Sequence, residues 1–149
     1  MAQLAAPPAV LVSPSLNALS GKIIECASAV HRALGPGLLE SAYRACLIAE
    51  LRHAGLRVDV DVHVPIEYRE LTLDCCYRLD LLVELTVILE LKAVSSILPV
   101  HEAQLLTYLK LTGKPLGLLL NFNVPLLKNG IVRKINTQQS RSGTARSAV

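Results

Sequence analysis

Asp80, Glu90 and Lys92 are three of the five charged side chains in an otherwise largely apolar run, Arg78-Leu79-Asp80-Leu81-Leu82-Val83-Glu84-Leu85-Thr86-Val87-Ile88-Leu89-Glu90-Leu91-Lys92. Glu90 and Lys92 are two residues apart, so a strand would place both on one face. Asp80 lies ten positions before Glu90, a span that fits two short antiparallel strands joined by a tight turn near Glu84 to Thr86. Two carboxylates and a lysine then converge. Charges buried in an apolar sheet carry a heavy desolvation cost unless they are paired or bound to a metal. The pair Asp80 and Glu90 suits a hard divalent cation, Mg²⁺ or Mn²⁺, which takes oxygen ligands and keeps several waters, and the Leu91 carbonyl could add another oxygen.

The elements that must position these groups read as follows. Residues 1–19, rich in Ala, Pro and Ser, read as a flexible leader with a turn at Ser13-Pro14. Ser20 is the expected N-cap of a first amphipathic helix carrying Ile23, Ile24, Ala27, Val30 and Leu34, ended by Gly35-Pro36-Gly37. A second helix is expected from Leu38 to about His53, packing through Ala42, Ala45, Cys46 and Ala49. Alternation from Val58 to Val64 gives a strand, and Ile66 to Leu73 a continuation and turn with Tyr68-Arg69-Glu70-Leu71 as its loop. Asp74 to Val83 and Val87 to Val94 form the next two strands. A helix from about Val100 to Thr112 follows, then an apolar strand, Leu116 to Phe122, and a short edge strand, Gly130 to Ile135. The order α-α-β-β-β-α-β-β predicts an α/β domain over residues 20–136, with a mixed central sheet flanked by helices and a parallel crossover through the third helix. Residues 137–149 read as a disordered basic tail.

Composition narrows the function classes. The chain has 149 residues, 52% of them hydrophobic and 3% aromatic, enough for one aliphatic core without disulfides. The net charge of +3 is deceptive, because residues 1–132 hold all twelve acidic residues against eleven of the fifteen basic ones, leaving −1. Composition therefore shows no broad basic stripe for nucleic acid. Cys26, Cys46, Cys75 and Cys76 lack zinc-site spacing. Cys26 and Cys46 read as small buried hydrophobes, and the adjacent Cys75 and Cys76 as pointing to opposite faces of a strand. A reducing cytoplasm suits these cysteines. The apolar leader lacks a basic segment and is broken by Pro7, Pro8 and Pro14, and no apolar run is long enough to span a membrane, so a soluble protein is expected.

Asp80, then Glu90-Leu91-Lys92, then Gln104-x-x-x-Tyr108 resembles the PD-(D/E)xK nuclease superfamily. Gly37-Leu38-Leu39-Glu40-Ser41-Ala42-Tyr43 resembles the GxxExxY family within it. The resemblance runs from about Ile23 to Ile135 and takes in His101-Glu102-Ala103-Gln104-Leu105-Leu106-Thr107-Tyr108-Leu109 and Asn121-Phe122-Asn123. It implies a restriction-endonuclease-like core and Mg²⁺- or Mn²⁺-dependent hydrolysis of phosphodiester bonds in nucleic acid, DNA above all. The resemblance assigns catalysis to Glu40, Asp80, Glu90 and Lys92, the metal to Asp80, Glu90 and the Leu91 carbonyl, and substrate positioning to Gln104 and Tyr108.

Each residue also has an ordinary reading. A Glu-x-Lys on a strand is commonly a solvated ion pair, Glu40 is a favourable charge at a helix N-terminus, Tyr43 is packing or a supporting hydrogen bond, and His31 and His101 are structural groups near helix ends. The sequence departs from the family pattern at Leu79, where proline is usual before the aspartate, and at Glu70, where relatives tend to have glycine. Glu84-Leu85-Thr86 lacks the residues that a tight turn with positive φ favours, and it exposes Leu85. The alternative of a different class is a noncatalytic nucleic-acid-binding or protein-interaction module that retains the nuclease fold. Oligomeric state is left open, a homodimer included.

Overall fold

Ser13 closes the N-terminus of the first helix. Its Oγ accepts the Leu16 N–H at 3.2 Å, and Pro14 occupies the first turn, where a missing N–H costs nothing. The computed structural model describes residues 12–74 and 77–137. Helix α1 runs Pro14–Leu34, so residues 14–19, expected in a leader, are helical, and Ser20 lies inside the helix instead of capping it. The Ser13-Pro14 pair is the capping signal that the spacing of apolar residues hides. Residues 1–11 and 138–149, and with them the ends of the expected leader and basic tail, lie outside the described residues, as do Cys75 and Cys76.

Gly35 (φ +65°) and Gly37 (φ +101°) reverse the chain into α2, Glu40–His53. The helix packs through Tyr43, Leu47 and Leu51, and not through the expected small-residue face, since Ala45, Cys46 and Ala49 are exposed. Two apolar stripes compete on this helix, and the larger side chains win because each removes more area from water, about 1.5–3 kcal/mol for a fully buried Leu. Cys26, by contrast, is buried as expected.

Strands β1 (Val58–His63), β2 (Ile66–Tyr68), β3 (Leu71–Leu73), β4 (Arg78–Val83) and β5 (Val87–Lys92) follow, then helix α3 (Pro99–Thr112), β6 (Leu116–Asn121) and β7 (Ile131–Ile135). Five strands therefore precede α3 where three were expected. The reason is that Ile66 to Leu73 closes on itself as a separate two-stranded ribbon, turned at Arg69 (φ +54°). The main sheet has order β1-β4-β5-β6-β7, with β5 and β6 parallel across α3 and the other neighbours antiparallel. This is the mixed central sheet flanked by helices that the element order predicts.

The sheet has a core on each face. Leu81, Val83, Leu89 and Leu91 pack with Ile23, Tyr43, Leu47 and Phe122 under α1 and α2, while Leu79, Leu82, Ile88 and Leu119 pack with Leu105, Tyr108 and Leu109 under α3. Among the described residues, no helix is long and apolar enough to cross a membrane.

Candidate metal centre

The β4–β5 ladder opens where the charges begin. Paired positions run from Val83↔Val87 to Leu81↔Leu89 and stop, one step short of Asp80 opposite Glu90. On the other side β1 pairs through Val60↔Leu81 and Val62↔Leu79, but Asp61 between them has φ +52° and leaves the ladder. The alternation of faces slips here. Leu81 and Val83 enter the α1/α2 core, whereas Leu79 joins Leu82 in the α3 core. Asp80 sits at the slip.

Side chains replace the missing ladder bonds. The Leu91 N–H donates to Asp80 Oδ2 at 2.9 Å, and the Asp80 N–H donates to Glu90 Oε1 at 3.2 Å. Each carboxylate thus lies against the backbone beside the other. A strand residue's N–H and C=O point to the same edge, so the Leu91 carbonyl also faces the opened gap, while the next carbonyl, that of Lys92, faces β6 and accepts the Phe122 N–H at 3.0 Å. Two carboxylates and one carbonyl line the gap.

Glu90 is only 6% exposed. Burial and then the Asp80 charge push its carboxyl up to about 8, against the pull of the Asp80 N–H and Lys92. A buried acid pair whose second charge is this unfavourable is one that a cation would stabilise. Among the described residues no three of His, Cys, Asp and Glu group into a protein-only metal cage. The donor set fits an ion that keeps most of its water, Mg²⁺ or Mn²⁺, better than zinc.

Glu40 opens α2 and stays solvent-accessible. Partial burial and the Asp80 charge raise its carboxyl, while Lys92 and Arg44 lower it, so the helix brings Glu40 within electrostatic reach of the gap. Arg44, one turn further on, was not among the residues singled out from sequence. Its guanidinium pairs with Asp61 and donates to the Asp80 carbonyl at 3.4 Å. The signal was available, since positions four apart on a helix share a face.

On the opposite face Gln104 Nε2 donates to the Tyr108 hydroxyl at 3.1 Å. Burial, then Glu90 and Asp80, raise the Tyr108 phenol, so it lies within electrostatic reach of the acid pair, while Gln104 is exposed. Lys92 ends β5 opposite Asn121. The buried Asn121 side chain accepts the Val94 N–H at 3.1 Å and donates to the Val94 carbonyl at 2.9 Å, fixing the chain as it leaves Lys92.

Other polar residues serve the fold. His31 Nε2 binds the Val124 carbonyl at 2.8 Å, and His101 Nδ1 accepts the Leu98 N–H at 3.0 Å at the start of α3. Tyr43 stacks on Phe122 with centroids 4.7 Å apart, donates to the Gly35 carbonyl and accepts the Leu38 N–H.

A mixed sheet with helices on both faces and an acid pair in an opened strand gap defines a restriction-endonuclease-like domain. The model of the PD-(D/E)XK nuclease superfamily matches residues 17–134, and the chain belongs to that superfamily. Comparison with curated proteins and with solved structures gives no match.

Proposed function

We propose that this protein is a Mg²⁺- or Mn²⁺-dependent nuclease of the GxxExxY type that hydrolyses phosphodiester bonds in nucleic acid, DNA foremost, in the cytoplasm. The observation that carries the reading is the reciprocal hold of Asp80 and Glu90 across a strand gap into which the Leu91 carbonyl also faces. Asp80, Glu90 and that carbonyl hold the cation. When bound, the cation lowers the pKa of a coordinated water and offsets charge developing on the phosphate. Lys92, at the end of the same strand, orients the attacking water or contacts the phosphate. Glu40 acts from α2 through water, since it lies within electrostatic reach but outside a three-acid cluster. Gln104 and Tyr108, hydrogen-bonded to one another on α3, position the substrate backbone.

The test incubates purified protein with single- and double-stranded DNA and RNA under Mg²⁺, Mn²⁺ or EDTA, beside Asp80→Ala and Lys92→Ala. Metal-dependent cleavage lost in both variants is the expected result. Cleavage that survives both substitutions sinks the site assignment. Binding that both variants retain, with no cleavage under any metal, selects the noncatalytic module instead.

A further inference from the structure

A concavity lies at the C-terminal end of α1. It is an open cleft of about 520 Å³ between the last turns of α1, the Gly35-Pro36 turn and the loop from Pro125 to Lys128. That volume is in the range of sites that enclose a nucleotide-sized ligand, roughly 300–1,000 Å³. The α1 side contributes Arg32 and His31, the loop side contributes Lys128, and no Asp or Glu lines the cleft. Both Arg32 and Lys128 are exposed, and neither forms an ion pair among the described residues. Two cations free of carboxylate partners across a cleft make an anion site. Apart from Ser28, the rest of the lining, chiefly Pro36, Pro125 and Leu126, is apolar, so the fitting anion also carries apolar surface.

The cleft walls are tied to the catalytic elements. The α1 side continues through the turn held by Tyr43 into Glu40. The loop side leaves β6 at Asn121, the register partner of Lys92, and is fastened back by the bond from His31 to the Val124 carbonyl. Phe122 packs against both His31 and Tyr43, at centroid distances of 6.4 and 4.7 Å, so one aromatic column supports both walls. A cleft braced in this way is preformed and needs little ordering to bind.

We propose that this cleft holds the sugar-phosphate backbone of a single-stranded segment of nucleic acid, on the strand that enters the metal centre at Glu40 and Lys92. Arg32 and Lys128 contact phosphates, and the prolines with Leu126 receive the sugar or an unstacked base. The size of the cleft favours a single strand, because a volume of about 520 Å³ admits a nucleotide of one strand while a duplex is too wide to enter. This assignment rests on the nuclease reading for the direction of the strand, though not for the binding itself.

The experiment measures fluorescence anisotropy of a short labelled single-stranded oligodeoxynucleotide in EDTA over a salt series, using the full chain and Arg32→Ala/Lys128→Ala. The double variant is expected to bind more weakly and to lose about 1.4 from the slope of log K against log salt, at roughly 0.7 per single-strand phosphate contact. Its melting temperature should stay that of the wild type, since both side chains are exposed. Lys128→Glu alone should weaken binding further than Lys128→Ala. Unchanged affinity and slope in the double variant overturn the proposal, and an equal loss for a duplex of the same sequence overturns its single-strand part. If Asp80→Ala abolishes cleavage while the double variant binds normally, the cleft assignment fails and the nuclease reading stands. If no metal supports cleavage but binding depends on Arg32 and Lys128, the cleft stands and the nuclease reading fails.

Discussion

Asp80 and Glu90 hold one another through their backbones. The carboxylate of Asp80 accepts the N–H just after Glu90, and the carboxylate of Glu90 accepts the N–H of Asp80. The two bonds stand in for the ladder that β4 and β5 give up at this point. Opening the strands thus leaves the Asp80 and Leu91 N–H groups paired, and it turns two acid groups and the Leu91 carbonyl into one gap.

The pair makes metal-free stability depend on pH. In the folded chain Glu90 holds its proton up to about 8, while in the unfolded chain it releases it near the ordinary value of 4.5. Its folded pKa is raised, so its contribution is fully present below the unfolded value and is lost as pH rises through about 8. Across that window the folded state binds more protons than the unfolded one, and stability falls with a limiting slope of about 1.4 kcal/mol per pH unit for one proton. Glu90→Gln keeps the shape and cannot ionise. Thermal unfolding in EDTA from mildly acid to alkaline pH should show a melting temperature that declines in the wild type more steeply than in Glu90→Gln, with the variant the more stable at the alkaline end. Parallel curves would contradict the assignment. Added Mg²⁺ should stabilise the wild type at alkaline pH and leave the variant unchanged, because metal binding favours the ionised carboxyl.

Tyr43 fixes the turn that delivers Glu40. Its hydroxyl satisfies the Gly35 carbonyl and the Leu38 N–H while its ring stays on Phe122. Tyr43→Phe retains the stack and strands both backbone groups, which should cost about 1–3 kcal/mol. Tyr43→Ala adds the loss of a fully buried ring and should cost about 3–5 kcal/mol. Denaturant titration checks both, and an unchanged midpoint for Tyr43→Phe would show that the hydroxyl bonds carry no net weight.

Much of this was legible in sequence because period and charge agree locally. The apolar run with Asp80, Glu90 and Lys92 gave both strands and the acid pair, and Gln104 with Tyr108 follows from helical spacing. What stayed hidden depends on contacts between distant segments. The turn at Glu84 and Leu85 has φ values of +51° and +54° in residues that seldom adopt them. It is held by reciprocal bonds with Arg57, whose N–H donates to Glu84 Oε1 and whose carbonyl accepts the Glu84 N–H, a partner 27 residues away. Likewise, Asp61 reads as one more polar residue in an alternating strand until Arg44 arrives from α2. The start of α1 is hidden for a different reason, since Ser13-Pro14 carries the cap outside the apolar period.

Asn121 links the end of β6 to the chain beyond Lys92. It is 1% exposed, and its side chain bonds the Val94 N–H, the Val94 carbonyl and the Asn123 N–H. Asn121→Ala leaves these partly buried groups without partners and should destabilise by roughly 2–3 kcal/mol. Urea unfolding followed by circular dichroism gives the figure. A loss below that of an ordinary surface substitution would mean that water replaces all three bonds.

Substitution of Lys92 is the way to separate the two activities proposed for the site, metal binding and chemistry. It lies within electrostatic reach of Glu90 and Glu40, lowering both carboxyl groups, yet it is not itself a ligand type for Mg²⁺. Lys92→Met keeps the aliphatic stem and removes the charge. If the ammonium acts on the water or the phosphate, cleavage should fall by about 100-fold or more, the scale of losing one preorganised charge in a site. Calorimetric Mg²⁺ affinity should persist, even rise slightly, because a repelling cation has gone. Asp80→Ala should lose both metal affinity and cleavage. A Lys92→Met protein that cleaves at the wild-type rate assigns Lys92 to the charge balance of the acid pair alone. One that loses metal binding along with cleavage makes the lysine a support for the ligands, because its removal would then disturb the Asp80–Glu90 gap itself.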